Sequence, residues 1–209
     1  MGYTHYWFRE EEINEEFFGR ITADFERIIL PLDNAGVRLA GPCGTGLPEI
    51  FPSRISFNGI EARGHARNPN IYIPFPTDEA SGIGDSRNAI ARANSLFVRL
   101  RRRTCDGSCN YESFLLEQSM KSSVFPRQED GRYLCFCTTA FKPYDLAVQC
   151  LLLIAKHHLG GQIHVSFQGS NSLWNGPRAF CYVHLGYPLG EFHMEERRGP
   201  LRSEDRQKR

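Results

Sequence analysis

Phe136-Cys-Thr-Thr-Ala-Phe-Lys-Pro-Tyr-Asp145 runs without a break into the most hydrophobic segment of the chain, Leu146 to Leu159. Tyr133 to Thr139 has the composition of a strand, and Pro143 to Leu159, closed by Gly160-Gly161, that of a helix. Leu146, Ala147, Val148, Cys150, Leu151, Leu152, Leu153 and Ile154 cover every azimuth of this helix, so it is expected to be central and buried. A strand ending in Thr138-Thr139 and feeding such a helix gathers hydroxyl donors, Lys142 and the N–H groups of a helix start in one turn. Those N–H groups have no intrahelical partners, and the helix dipole adds partial positive charge, which suits a phosphate or carboxylate. Ordinary capping explains the same residues: Pro143 at a first helical position and Asp145 in the first turn are common helix-start chemistry, and Asp145 would compete with an anion.

Outward from that stretch, Tyr3 to Phe8 reads as a strand and Glu10 to Leu32 as a helix. Ile13, Phe17, Ile21, Phe25 and Ile28 fall on one face of that helix, with Phe18 and Ile29 beside them. Its acidic first turn, Glu10 to Glu12, suits the dipole, and Pro31 followed by Asn34-Ala-Gly36 closes it. Ile55 to Asn58 is a short alternating strand stopped by Gly59; Ile163 to Gln168 is another strand, and Arg178 to Leu185 a short helix ended by Gly186. Residues 61 to 111, rich in Pro, Gly and Arg, interrupt this regularity and read as an insertion in a single domain spanning 1–194; residues 195–209 read as a charged, flexible tail. Strands and helices without regular βαβ repetition predict an α+β fold, a mostly antiparallel sheet with two long helices on one face.

The chain's 209 residues, 41% hydrophobic, are enough for one well-buried core. A formal net charge of +1 gives no overall attraction to nucleic acid or membrane. No secretion signal opens the sequence, no apolar run is long enough to span a bilayer, and seven cysteines, an odd number, suit reduced thiols in a cytoplasm. Cys105 and Cys109, with Cys135 and Cys137 on one strand face, raise zinc as an alternative; against it, a strand Cys-x-Cys lacks the usual knuckle turn, and no metal or cofactor is expected. His157 and His158 point about 100° apart on a helix, and His164 stands on a strand; none is a candidate for catalysis. Arg99 to Arg103 is a short basic run suited to solvent, a polyphosphate or a partner protein. Nothing of the P-loop, Gly-x-Ser-x-Gly or His-Glu-x-x-His kind occurs.

The opening Gly2-Tyr-Thr-His-Tyr-Trp7 packs three aromatics and a histidine into six residues. It is either a half-buried strand over the core or an aromatic platform for a planar ligand, with His5 as a polar or acid–base group. If a ligand binds, Tyr6, Trp7 or Tyr144 would stack on its ring, Thr138, Thr139 and Lys142 would take a phosphate, and Asn58, before Gly59, would add polar recognition. An enzyme acting on a nucleotide or nucleic acid, with His5 and Asp145 as acid and base, is the alternative; a protein–protein inhibitor using the insertion is another.

Met1-Gly-Tyr-Thr-His-Tyr-Trp7, Ile55-Ser-Phe-Asn-Gly59, Glu112-Ser-Phe114 and Phe136 to Asp145, with the Leu-rich helix to His157-His-Leu-Gly160, resemble a family of uncharacterised proteins from bacteriophages, prophages and bacteria. The resemblance covers both ends of the core and skips most of residues 61–111. It supplies a context and no activity: phage proteins without catalytic motifs often bind host components or signals. With the anion-suited helix start and the aromatic opening, this favours a binding protein in a host-cell cytoplasm that sequesters a small phosphate-bearing, nucleotide-like ligand such as a host immune signal. A host protein and a second copy of the chain are the alternative partners.

Overall fold

The computed structural model describes residues 3–61, 108–121, 125–169, 171–190 and 195–197. The greater part of the expected insertion, including Arg99 to Arg103 and Cys105, lies outside them, as does the tail beyond 197. The described residues form an α+β fold with two antiparallel-based sheets and three helices. The first sheet is ordered β6–β1–β7–β8, where β1 is Thr4–Arg9, β6 Tyr133–Thr138, β7 Ile163–Gln168 and β8 Glu195–Arg197. Pairings of β1 with β6 and with β7 are antiparallel; β8, from a stretch expected to be frayed, lies parallel to β7. In the second sheet β4, Arg54–Gly59, pairs with β2 (Leu39–Ala40), β3 (Glu49–Phe51) and β5 (Phe114–Glu117).

Helix α1 spans Glu15–Asn34, α2 Asp145–Leu159 and α3 Asn175–Leu185. The first begins five residues later than its acidic run suggests. Main-chain groups of residues 11–13 are already committed: Met120 N–H donates to Glu11 O, Ile13 N–H to Gln118 O, and the buried Arg9 guanidinium donates to the carbonyls of Glu10, Glu11, Glu117 and Gln118. Tertiary pairing therefore overrides the local helix preference, and Asn14 becomes the N-cap, its side chain accepting from Glu16 N–H. Desolvation lowers the Arg9 pKa to about 10, against the opposing charges of Cys135 and Glu117. At the other end α1 runs through Pro31, forgoing the one hydrogen bond that residue would donate.

Burial falls on Phe18, Ile21, Phe25, Ile28 and Leu32 of α1, so Phe18 takes the central place expected of Phe17, which lies with Ile29 at the margin, and Ile13 is buried ahead of the helix. Every residue of α2 from Asp145 to Ala155 is buried, so this is the central helix. A ladder of rings, Trp7, Phe114, Phe57 and Phe25, ties the first sheet to the second and then to α1 at centroid spacings of 4.9, 5.2 and 5.2 Å. Burying such side chains stabilises by about 1.5–3 kcal/mol each. Gly59 is required beside this ladder, since a Cβ there would collide with the Cys109 carbonyl and press on Tyr144. Among the described residues no helix is long and apolar enough to cross a membrane.

Candidate functional site

Alternation along β1 turns His5 and Trp7 toward α2 and leaves Thr4, Tyr6 and Phe8 on the other face. His5 stands opposite Cys137 of β6 and Phe167 of β7. Past Thr138 the chain reverses in a turn where Ala140 and Phe141 take positive φ values of 49° and 58°. Consecutive left-handed residues without glycine are strained, and they persist only where surroundings hold them. Here Thr139 N–H and Ala140 N–H both donate to Tyr3 O, Lys142 N–H donates to Thr139 O, and the Phe141 ring stacks on Tyr3 at 4.1 Å.

This reversal sets the start of α2 under β1 and carries Asp145 to His5. Asp145 Oδ1 lies 2.7 Å from His5 Nε2 and accepts the Thr139 hydroxyl at 2.6 Å. All three residues are essentially without solvent exposure. A carboxylate so buried is tolerable only with such donors. Since the ionised carboxylate only accepts, His5 Nε2 carries a proton toward it, and in the neutral ring Nδ1 keeps a lone pair. Nδ1 is buried and makes no hydrogen bond among the described residues. The ring lies edge-on to Tyr3 at 4.7 Å and to Trp174 at 5.5 Å. Chemically this is a carboxylate-oriented imidazole with an available acceptor, an arrangement able to receive a hydrogen bond or a proton.

The helix start itself is less open than its sequence suggests. Asp145 N–H donates to Lys142 O, Leu146 N–H to Pro143 O and Val148 N–H to Tyr144 O. Residue 144 takes the N-cap position with no side-chain cap bond, its hydroxyl going to Glu112 O, while Asp145 in the first turn points to His5. Lys142 is 7% exposed, and its ammonium donates to Ser108 O at 3.0 Å.

Of the residues expected at a ligand site, His5, Thr139 and Asp145 meet at this junction, while Lys142 shares the turn through its backbone and sends its ammonium to Ser108 O. Thr138 and Tyr6 belong to the opposite face of the sheet, where Thr4 and Thr138 hydroxyls pair at 3.1 Å and the Tyr6 hydroxyl accepts from Gln168. Trp7 is wholly buried against Phe114, and Tyr144 is wholly buried with its hydroxyl 2.6 Å from Glu112 O, so neither ring offers a face for stacking. Asn58 is a brace: its amide donates to Pro42 O, Tyr111 O and Ser113 Oγ, and its oxygen accepts from Gly59 and Tyr111 N–H. Burial pushes the Cys135 thiol up to about 12 and the Cys137 thiol well up, which keeps both protonated. Among the described residues no group of three or more His, Cys, Asp or Glu is placed to hold a metal ion.

Sequence reasoning missed Tyr3, Gln149 and Trp174. Gln149 is the one polar residue within Leu146 to Ile154, one helical turn beyond Asp145, and a buried polar side chain at that spacing was a usable signal. It donates to the Tyr3 hydroxyl and to Leu173 O. Trp174, just before α3, carries no comparable local signal. No family model, no curated protein and no solved structure matches this chain.

Proposed function

We propose that this chain is a binding protein that takes up a small phosphate-bearing, nucleotide-like ligand at the junction of β1, the 139–144 turn and α2, and holds it intact. The observation that carries the reading is His5 Nδ1, a fully buried acceptor with no partner among the described residues. Buried polar atoms are normally satisfied, and an exception asks for an explanation, of which a reacting group or a missing partner is one. Lys142, in the turn that leads to Asp145, supplies a positive charge. Its ammonium donates to the neutral Ser108 carbonyl, and a phosphate oxygen is a stronger, charge-assisted acceptor for the same donor. Left-handed strain at Ala140 and Phe141 lowers the cost of moving the turn that covers the junction. Sequestering a host signal, a role that accords with a phage context, fits retention without turnover.

Calorimetry with nucleoside mono-, di- and triphosphates and cyclic dinucleotides tests this, together with mass spectrometry of what the protein carries from its own cells. A bound ligand recovered unchanged after denaturation is the expected result. His5→Ala and Lys142→Ala should each weaken binding at least tenfold in a folded protein. A protein that binds no member of the panel and carries no small molecule overturns the reading.

The 2.7 Å contact between His5 and Asp145 favours a second reading, an enzyme in which His5 is the base and Asp145 its orienting carboxylate. Conversion of a labelled nucleotide by the native chain, abolished in His5→Ala, would establish it in place of the first.

A further inference from the structure

We propose that His5 Nδ1 and Trp174 Nε1 together bind one hydroxyl group of the ligand, the ribose hydroxyl where the ligand is a nucleotide; the inference rests on the binding reading above. Asp145 Oδ1 already receives the Thr139 hydroxyl and faces His5 Nε2, so Nε2 carries a proton, and in the neutral ring Nδ1 accepts. Indole nitrogen can only donate. Both atoms are buried and without hydrogen-bond partners among the described residues, on rings 5.5 Å apart and inclined at 86°. An acceptor and a donor carried by adjoining rings are satisfied together by a group that gives one hydrogen bond and takes another. A hydroxyl does this. A phosphate oxygen answers only the indole, and an ammonium only the imidazole.

Trp7 supplies the contrast. Its Nε1 is equally buried and unpartnered, but its ring stacks on Phe114 and meets the edge of Phe125, in apolar surroundings. An unsatisfied indole is therefore no evidence alone; the pairing with His5 distinguishes Trp174. Polar groups surround that pair as well. Tyr3, edge-on to His5, has its hydroxyl bonded by Gln149, and Gln149 also donates to Leu173 O, adjacent to Trp174.

The two tryptophans of the chain make the test direct. In a nitrogen-15 labelled full-length protein the indole signals are assigned with Trp174→Phe or, where that variant does not fold, with Trp7→Phe. The probes are AMP and GMP with their 2′-deoxy and 3′-deoxy forms, then ribose and glycerol. Binding of AMP or GMP should move the Trp174 indole proton downfield and leave Trp7 in place. It should also shift His5 Nδ1 as an unprotonated nitrogen gaining a donor, and one deoxy form should bind at least tenfold more weakly. Nucleotides that bind with a still Trp174 signal and equal affinity for the deoxy forms overturn the hydroxyl site and leave the binding function standing. An Nδ1 that carries a proton overturns it too, as does a pair bridged by water that no probe displaces. Should no nucleotide bind, a Trp174 shift with ribose or glycerol sustains the hydroxyl site while the nucleotide reading fails; no shift with any probe overturns both.

Discussion

Among the described residues two aspartate–histidine–hydroxyl clusters occur, and they differ in what they leave over. At the junction, Asp145 holds His5 at 2.7 Å and the Thr139 hydroxyl at 2.6 Å. Where the helices meet, Asp24 of α1 holds His158 of α2 at 2.8 Å and the Tyr187 hydroxyl, beyond α3, at 2.5 Å. The helix-seam cluster is in reach of water, with Asp24 and His158 side chains 15% and 13% exposed, and Arg27 bonds the second carboxylate oxygen. Tyr187 also lies 3.2 Å from His158 Nε2 and stacks on His157 at 3.9 Å, so three helices are clasped by one polar knot. The junction cluster is sealed from solvent and yet ends in an imidazole nitrogen with no partner among the described residues. Identical chemistry thus serves a clasp in one place and a candidate binding group in the other. Burial together with the unused nitrogen makes the difference, not the presence of an aspartate–histidine pair.

Removing each carboxylate should separate the two. Asp145→Ala strands the His5 Nε2 proton and the Thr139 hydroxyl in the core, and each buried donor left unsatisfied costs about 1–3 kcal/mol. Asp24→Ala exposes its former partners to water, and its cost should be about 1–2 kcal/mol. Urea denaturation of the two variants measures both, and equal losses would erase the distinction. The helix-seam cluster should also carry a pH signature. Burial alone would push the Asp24 carboxyl up, but hydrogen bonds from Tyr187, His158 and Arg27, with the charge on His158, together outweigh it and hold the group below its ordinary value of 3.8. A depressed folded pKa contributes stability that is complete above the ordinary value and is lost as pH falls through the folded one. The stability gap between the native chain and Asp24→Ala should therefore be constant at neutral pH and shrink in acid below 3.8. A gap that is unchanged down to the acid limit would show that the carboxylate's charge is not what the clasp uses.

How much of this was legible varied with the range of the interactions. Ile163 to Gln168 was read to the residue, because an alternating run bounded by glycines admits one register. The central helix was legible from composition alone. Its start was not, because Asp145 looks like a capping residue in sequence and instead reaches His5, 140 positions away. No periodicity encodes a contact of that span. Thr139 and Lys142 were placed correctly in one turn since they are local to it, whereas Trp7 and Tyr144 were expected to meet a ligand and serve the core. Aromatic content marks burial and binding alike. Ala140 and Phe141 are opaque for another reason: left-handed backbone is signalled by Gly or Asn, and neither residue is present.

That strained turn yields the smallest expected effect, with the opposite sign. A left-handed conformation costs an ordinary residue about 1–2 kcal/mol relative to glycine. Glycine in turn gives up about 0.5–1 kcal/mol of folding free energy through its freer unfolded chain. At Ala140 the methyl group is the only side chain lost, so Ala140→Gly should stabilise the protein by a net of about 0.5–1 kcal/mol. Phe141→Gly is not equivalent, because it also removes the ring stacked on Tyr3, and it should destabilise. The seam cluster offers no counterpart, since its residues lie outside the segments of positive φ. Denaturation of Ala140→Gly at neutral pH decides the point, and a loss of stability would mean that the turn is held by its surroundings without strain. In that case the junction would resemble the seam more closely, and His5 Nδ1 would remain its one distinguishing atom.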